Sequence, residues 1–404
     1  MGSGGVRADA AARYVTVRRL ERIALLAGLV GLVLFVVGLF IEPRQALTSY
    51  VFAYATVFTV VLGALIQLLM SHVTGARWFT VMRRVALGIS GAMPAVVLLA
   101  LPIFFGVAAI YSWTSPATLP REARLIVERK EAWLNAPFFI ARGVVYLAAW
   151  VIVDAIVRRS SLGMDRSDGT SAANVAGRVR RLSAIGLVVV GLTMTFASFD
   201  WLMALDPTWY STVYGVYVFA GGYLAALGLI AVISRTASGP AAPLNGAVTP
   251  EHFGALGKLQ LTFVIFWGYI AFSQFLIIWI GDIPLDASWY VTRGAGSWGT
   301  LALIVVAGQF AIPFLVLLPR ATKRRPSLMW ALGVLLLTAH VLDVYWLVLP
   351  SLHPTRITFS WLDLASLLMV GGFATAFASW RARGVRALPI GDPYLAPAMS
   401  YIEP

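Results

Sequence analysis

Apolar runs of about twenty residues recur along the whole chain, and they constrain its fold more than any other feature. An α-helix needs roughly 20 apolar residues to cross the hydrocarbon core of a bilayer. A membrane-spanning β-barrel would instead show segments of about ten residues in which apolar and polar positions alternate. No such alternation is visible in the sequence. The chain is therefore predicted to be an all-α integral membrane protein.

The composition agrees with this prediction. Apolar residues make up 59% of the 404 positions and charged residues 12%, whereas a soluble domain carries about 25% charged residues. A single transmembrane domain is predicted over 23–380, between an N-terminal segment 1–22 and a C-terminal tail 381–404. Ten spans are predicted, numbered one to ten in chain order: 23–41, 50–70, 85–112, 135–157, 182–204, 211–233, 259–281, 298–319, 327–348 and 359–380.

The distribution of Lys and Arg between alternate loops predicts the orientation in the membrane. The loops on the side that carries both termini hold 23 of these residues, and those on the opposite side hold 7. Because loops rich in Lys and Arg stay in the cytoplasm, the N- and C-termini are predicted to be cytoplasmic. The net charge of +13 is thus a topology signal, and no nucleic-acid partner is expected.

The residues that usually hold redox cofactors are scarce. The chain has no cysteine and only four histidines. Without cysteine it cannot hold an iron–sulfur cluster by thiolates or a covalently attached haem. A haem with two histidine ligands needs a pair of histidines on facing helices, and only His340 lies well inside a predicted span. We therefore expect no redox cofactor or metal bound by this chain.

Five ionisable residues inside or at the ends of spans are candidate functional residues, because charge within a membrane is costly. Arg142 lies about 10 Å from the outer end of span four, and Asp200 and Asp343 lie near the outer ends of spans five and nine. His340 shares a helix face with Asp343, and Asp363 begins span ten. These residues are predicted to form one outward-opening polar cluster for protons or a polar ring. A structural ion pair between Arg142 and an aspartate is the alternative.

Uncharged polar residues and glycine pairs within the spans also have two interpretations. Gln67, Gln274 and Gln309 could each donate a hydrogen bond to a quinone carbonyl, or could join two helices, which is the commoner use of such groups. The pairs Gly221–Gly222 and Gly371–Gly372 permit close helix approach, which is a prediction about packing.

Short motifs distributed along nearly the whole chain add a further signal. The most specific is Phe196–Met203 in span five, followed by Asp206–Gly215. The others are His72–Trp78, Leu134–Phe139 leading to Arg142, Ala271–Phe275, Gly281–Pro284, Asp343–Trp346 and Gly391–Pro393. Together they resemble the NrfD-like (polysulfide-reductase-like) membrane subunits, and most closely the F subunit of bacterial alternative complex III.

This resemblance implies a subunit of a quinol-oxidising electron-transfer complex in the bacterial inner (cytoplasmic) membrane, with quinol or menaquinol as the substrate and cytochrome c or another acceptor. It implies two four-helix bundles, here over 50–204 and 211–348, with flanking helices. The c-type haems and iron–sulfur clusters would belong to partner subunits, beside an NrfD-like C-type subunit. The candidates for a proton or quinone path then are Arg142, Asp200, His340, Asp343, Gln274 and Asp363.

Two other functions remain open at this point. A secondary transporter would fit ten helices, an outward polar cluster and a weak echo between Asp206–Tyr210 and Ile283–Tyr290. Transporters usually have broken helices in matched positions, whereas Pro94 and Pro102 in span three and Pro313 in span eight form no convincing pair. A purely structural scaffold subunit is the third possibility.

Overall fold

The structure, a computed structural model, describes residues 15, 17–166 and 169–402. These residues form helices and connecting segments without a strand. Ten helical segments are long and apolar enough to cross a membrane: Arg18–Ile41, Pro43–Thr74, Arg77–Phe105, Ala136–Met164, Asn174–Leu205, Tyr214–Thr236, Pro250–Gly281, Gly296–Leu317, Pro326–Ser351 and Trp361–Ala382. The prediction of an all-α, multi-span membrane protein with ten spans is confirmed.

Shorter helices lie between the spans, and the sequence analysis did not predict them. Arg121–Arg129 follows span three, and Pro284–Gly294 follows span seven. The second of these helices has proline at its first position and ends at a glycine, the residues that favour a helix start and a helix end. Other short helical segments outside the spans are Val107–Ile110, Ser112–Thr114, Pro116–Thr118, Arg320–Lys323 and Leu395–Met399.

Spans three and eight are interrupted where the sequence places proline. Pro94 and Pro102 each stand at the second position of a short helical piece, because proline has no N–H to continue the preceding helix. The pieces of span three are Arg77–Met82, Arg83–Ser90, Met93–Leu98 and Leu101–Phe105. In span eight, a π-helical turn at Ala307–Ala311 precedes Pro313.

Spans two and six form the centre of the helical domain. In an apolar stretch of 18 residues within span two, 89% of the residues are buried, whereas in the corresponding stretch of span seven 22% are buried. The two central helices approach closely at glycine: a Cβ atom at Gly222 would lie 2.5 Å from the Cβ of Thr59. This confirms the predicted close approach at the first glycine pair. Spans two and six, which belong to different predicted bundles, thus pack closely against each other. The division into two bundles stays a prediction.

The first and last spans pack against each other along their length. A Cβ atom at Gly372 would lie 2.5 Å from the backbone nitrogen of Gly28 in span one. At one end, the Val15 amide donates to the Val385 carbonyl over 3.0 Å, and Glu21 and Arg383 form an ion pair. The beginning of span one and the end of span ten therefore lie at the same end of the domain, as the predicted topology requires.

Candidate functional site

The six candidate residues do not form one cluster. The structure separates them into three hydrogen-bonded groups and one residue, Gln274, in the wall of a cavity. Asp200, Asp343 and Asp363 each find partners on different neighbouring helices. The prediction of a single outward cluster is thus wrong, because similar depth along different spans does not imply that the side chains face one another.

The first group is a buried ion pair between spans four and five. The Nε and Nη2 atoms of Arg142 donate to the two carboxylate oxygens of Asp200 over 2.8 and 2.7 Å. The Tyr146 hydroxyl and the Trp133 indole each donate to the same carboxylate over 2.9 Å. The rings of Trp133 and Phe138 lie 3.9 and 4.2 Å from the guanidinium carbon. Such a bidentate, fully hydrogen-bonded pair supports the structural interpretation of Arg142.

The second group surrounds Asp363 at the start of span ten. One carboxylate oxygen accepts from the Ser49 hydroxyl over 2.6 Å and from the Gln45 amide over 3.3 Å. The other accepts from the Ser360 backbone amide over 3.0 Å and from the Tyr345 hydroxyl over 3.3 Å. Asp363 therefore completes a capping box and fastens span ten to spans two and nine.

The third group contains His340 and Asp343 of span nine, both of which are 2% exposed. The Tyr217 hydroxyl of span six donates to Oδ1 of Asp343 over 2.5 Å, and the Gln309 amide of span eight donates to Oδ2 over 2.8 Å. His340 Nε2 lies 2.9 Å from the Thr59 hydroxyl of span two. In the described part of the chain, Asp343 forms no ion pair with a cation.

Gly221 of span six borders this third group. A Cβ atom at Gly221 would lie 3.2 Å from Oδ2 of Asp343 and 3.4 Å from Nδ1 of His340. The glycine therefore keeps an apolar methyl group away from these two polar atoms. Nδ1 of His340 has no hydrogen-bond partner among the described residues. This group, unlike the first two, has unused hydrogen-bonding capacity. Gln309 belongs to the π-helical turn of span eight, a type of distortion often found at functional sites.

A cavity of about 600 Å³ lies on the other side of Tyr217. It is bounded by spans seven, eight and nine and by the helix Pro284–Gly294. Its wall is mainly apolar and aromatic, with polar groups from Tyr217, Gln274, Tyr290 and Arg293. Asp343 is thus connected to this cavity through one phenol.

Gln274 joins three segments at the cavity wall. Its amide donates to the Tyr290 hydroxyl over 2.9 Å, and its carbonyl oxygen accepts from the Ser211 hydroxyl over 3.3 Å. Gln67 likewise accepts a hydrogen bond from Tyr223 and joins spans two and six. Both amides thus have the helix-joining contacts that the sequence analysis favoured.

The two echoing segments also meet beside this cavity. The rings of Trp209 and Trp289 stack with centroids 4.5 Å apart and an angle of 13° between their planes. The Trp209 indole donates to the Asp286 carbonyl over 3.1 Å. The helix Pro284–Gly294 is therefore held against the segment that follows span five.

Three residues of interest were missed by the sequence analysis. Asp154 lies inside span four and is 1% exposed, with Arg381 3.2 Å away; the rule for ionisable residues within spans would have found it. Arg293 was counted only as a loop cation, although it lies on a helix and is 2% exposed. Tyr217 was not among the candidate residues. Its contact with Asp343 has no signal in the sequence alone.

Among the described residues, no three His, Cys, Asp or Glu side chains come together as a metal site would require. Comparison with known proteins adds no family. No family model matches the chain, and no curated protein matches it significantly.

Proposed function

We propose that this chain is a membrane subunit, without a redox centre of its own, of a quinol-oxidising electron-transfer complex, and that it provides part of a proton path. The family resemblance of its motifs supports the proposal, and these motifs coincide with the polar groups. Phe196–Met203 contains Asp200, Asp343–Trp346 contains the buried aspartate of span nine, and Ala271–Phe275 forms part of the cavity wall.

The observation that carries the proposal is the environment of Asp343. A carboxylate buried in the membrane is costly when no cation compensates it, and the hydrogen bonds that Asp343 accepts from Tyr217 and Gln309 come from neutral groups. Asp200, by contrast, is compensated by Arg142. Asp343 is therefore the carboxylate whose surroundings favour taking up a proton, and the His340 imidazole on the same helix face is a second proton acceptor.

The polar residues of span two extend the path on one side of this centre. Thr59 contacts His340, while Gln67, two turns further along the same helix, contacts Tyr223. Thr59 and Gln67 are eight residues apart, which corresponds to about 12 Å along the helix axis. On the opposite side, Tyr217 connects Asp343 to the cavity.

The membership in a complex is tested by gentle purification from the native membrane, followed by a visible haem spectrum and identification of partners by mass spectrometry. The expected result is co-purification with a c-type cytochrome, an iron–sulfur protein and an NrfD-like C-type subunit. Isolation of a single, colourless protein that is stable and active alone would overturn the proposal.

The proton path is tested with Asp343→Asn in the assembled complex, reconstituted in liposomes. Proton release or uptake per electron should fall, because an amide cannot carry the proton, while assembly is preserved. Asp282→Asn is the matched control, since Asp282 is exposed at the end of span seven. Unchanged coupling in Asp343→Asn would favour a purely structural scaffold subunit.

A secondary transporter is the second candidate, favoured by a cavity that adjoins the interrupted span eight, although the interruptions of spans three and eight form no matched pair. Broken helices line the substrate sites of many transporters. Substrate-driven uptake by the purified chain alone in proteoliposomes would support this function and exclude the first.

A further inference from the structure

Arg293 is a buried cation for which the protein provides little compensation. Its Nη1 donates to the Trp289 carbonyl over 3.4 Å and its Nη2 to the Leu347 carbonyl over 3.0 Å. The Trp289 ring lies 3.9 Å from the guanidinium carbon. Within the described residues, Arg293 forms no ion pair with a carboxylate, and its Nε has no hydrogen-bond partner.

The guanidinium nevertheless remains charged at neutral pH. Burial lowers the pKa of Arg293 to about 10, with Tyr214, Asp206 and Tyr290 acting in the opposite direction. A buried charge is stable only when it is paired or well hydrogen-bonded. Asp206 acts on this cation only without a direct ion pair, and the direct contacts in the described part of the chain are two carbonyl groups and one aromatic ring. The site therefore favours an anion.

The cavity beside Arg293 indicates what kind of molecule carries that anion. Its volume of about 600 Å³ is within the range of small-molecule sites. Its walls include the apolar side chains of Ala302, Val305 and Phe310. Two further wall residues, Tyr269 and Phe272 of span seven, are 65% and 61% exposed at the outer surface of the helical domain. Apolar side chains exposed on a membrane span face lipid. The cavity is therefore open towards the region where acyl chains lie.

We propose that this cavity binds an acyl lipid with an anionic head, and that Arg293 pairs with the phosphate or carboxylate of that head. The acyl chain lies along the apolar walls and leaves through the opening beside Tyr269 and Phe272. A soluble anion would not use these apolar walls, and a neutral lipid would leave Arg293 without a negative partner. The inference is independent of the proposed proton path, since it depends on lipid binding and not on turnover.

The experiment is native mass spectrometry of the delipidated protein, titrated separately with phosphatidylglycerol, oleate and phosphatidylcholine. Wild-type protein should bind at least one of the two anionic probes about tenfold more tightly than phosphatidylcholine, which corresponds to about 1.4 kcal/mol. Preference for phosphatidylglycerol identifies a phospholipid, and preference for oleate identifies a fatty acid. Equal affinity for all three probes would overturn the proposal.

Two kinds of variant assign the binding to this cavity. Arg293→Gln should abolish the preference for the anionic probe and Arg293→Lys should keep part of it, whereas Arg356→Gln, at an exposed arginine, should have no effect. Ala302→Phe should fill the cavity and weaken binding while Arg293 remains in place. Its control is Ala148→Phe on the exposed face of span four. If Ala302→Phe folds and binds the anionic lipid like the wild type, the cavity is not the site.

Discussion

The ion pair between Arg142 and Asp200 allows a direct test of a structural against a functional role. Asp200→Asn keeps the shape of the side chain but removes its charge. It would leave the Arg142 guanidinium buried at 7% exposure without an anionic partner. The carboxylate accepts four hydrogen bonds from Arg142, Tyr146 and Trp133. The NH2 group of the new asparagine would therefore face hydrogen-bond donors and could not accept from them.

Breaking a buried pair by removing one partner costs about 3–5 kcal/mol. We therefore expect Asp200→Asn to lower the free energy of unfolding by this amount, measured by equilibrium denaturation with SDS in mixed micelles. The double variant with Arg142→Gln removes both charges and should be less destabilised than Asp200→Asn alone. In a double-mutant cycle, the interaction energy of residues in contact is about 0.5–3 kcal/mol, and a bidentate pair should be near the upper end.

An exposed pair provides the matched control. Arg124 and Glu128 lie 2.6 Å apart, but their side chains are 51% and 43% exposed. Glu128→Gln should therefore change the unfolding free energy by less than about 1 kcal/mol. If Asp200→Asn costs no more than this control, and the assembled complex still loses turnover, the pair serves chemistry rather than stability and the structural interpretation is wrong.

Two further predictions concern packing and topology. Gly372→Val should lower the free energy of unfolding by about 1–3 kcal/mol in the same assay, because a Cβ at Gly372 would lie 2.5 Å from the backbone of span one. Gly371→Val is the control and should be tolerated, because a Cβ at Gly371 would have no atom within 4 Å. Equal losses of unfolding free energy in the two variants would contradict this packing. Because the chain has no cysteine, single substitutions Ser238→Cys and Ser115→Cys can report topology. Impermeant maleimide added outside intact cells should label only Ser115→Cys, and the reverse pattern would refute the predicted orientation.

The ten spans were predictable because the thickness of a bilayer fixes the length of an apolar helix. The helices Arg121–Arg129 and Pro284–Gly294 were not, since they are short and carry charged residues. That His340 and Asp343 share a helix face was predictable from their spacing of three residues. The contacts of Asp343 with Tyr217 and Gln309 were not, because they depend on which faces of spans six, eight and nine turn towards each other.

The comparison of Asp200 with Asp343 shows why depth in the membrane does not reveal whether a buried carboxylate has a counter-charge. Both residues are predicted near the outer ends of their spans, and both are almost fully buried. Asp200 receives the Arg142 guanidinium as a direct counter-charge. Asp343 receives neutral groups, a phenol and an amide, and forms no ion pair within the described part of the chain. The difference between the two carboxylates therefore comes from their partners on neighbouring helices, which their depth in the membrane does not predict.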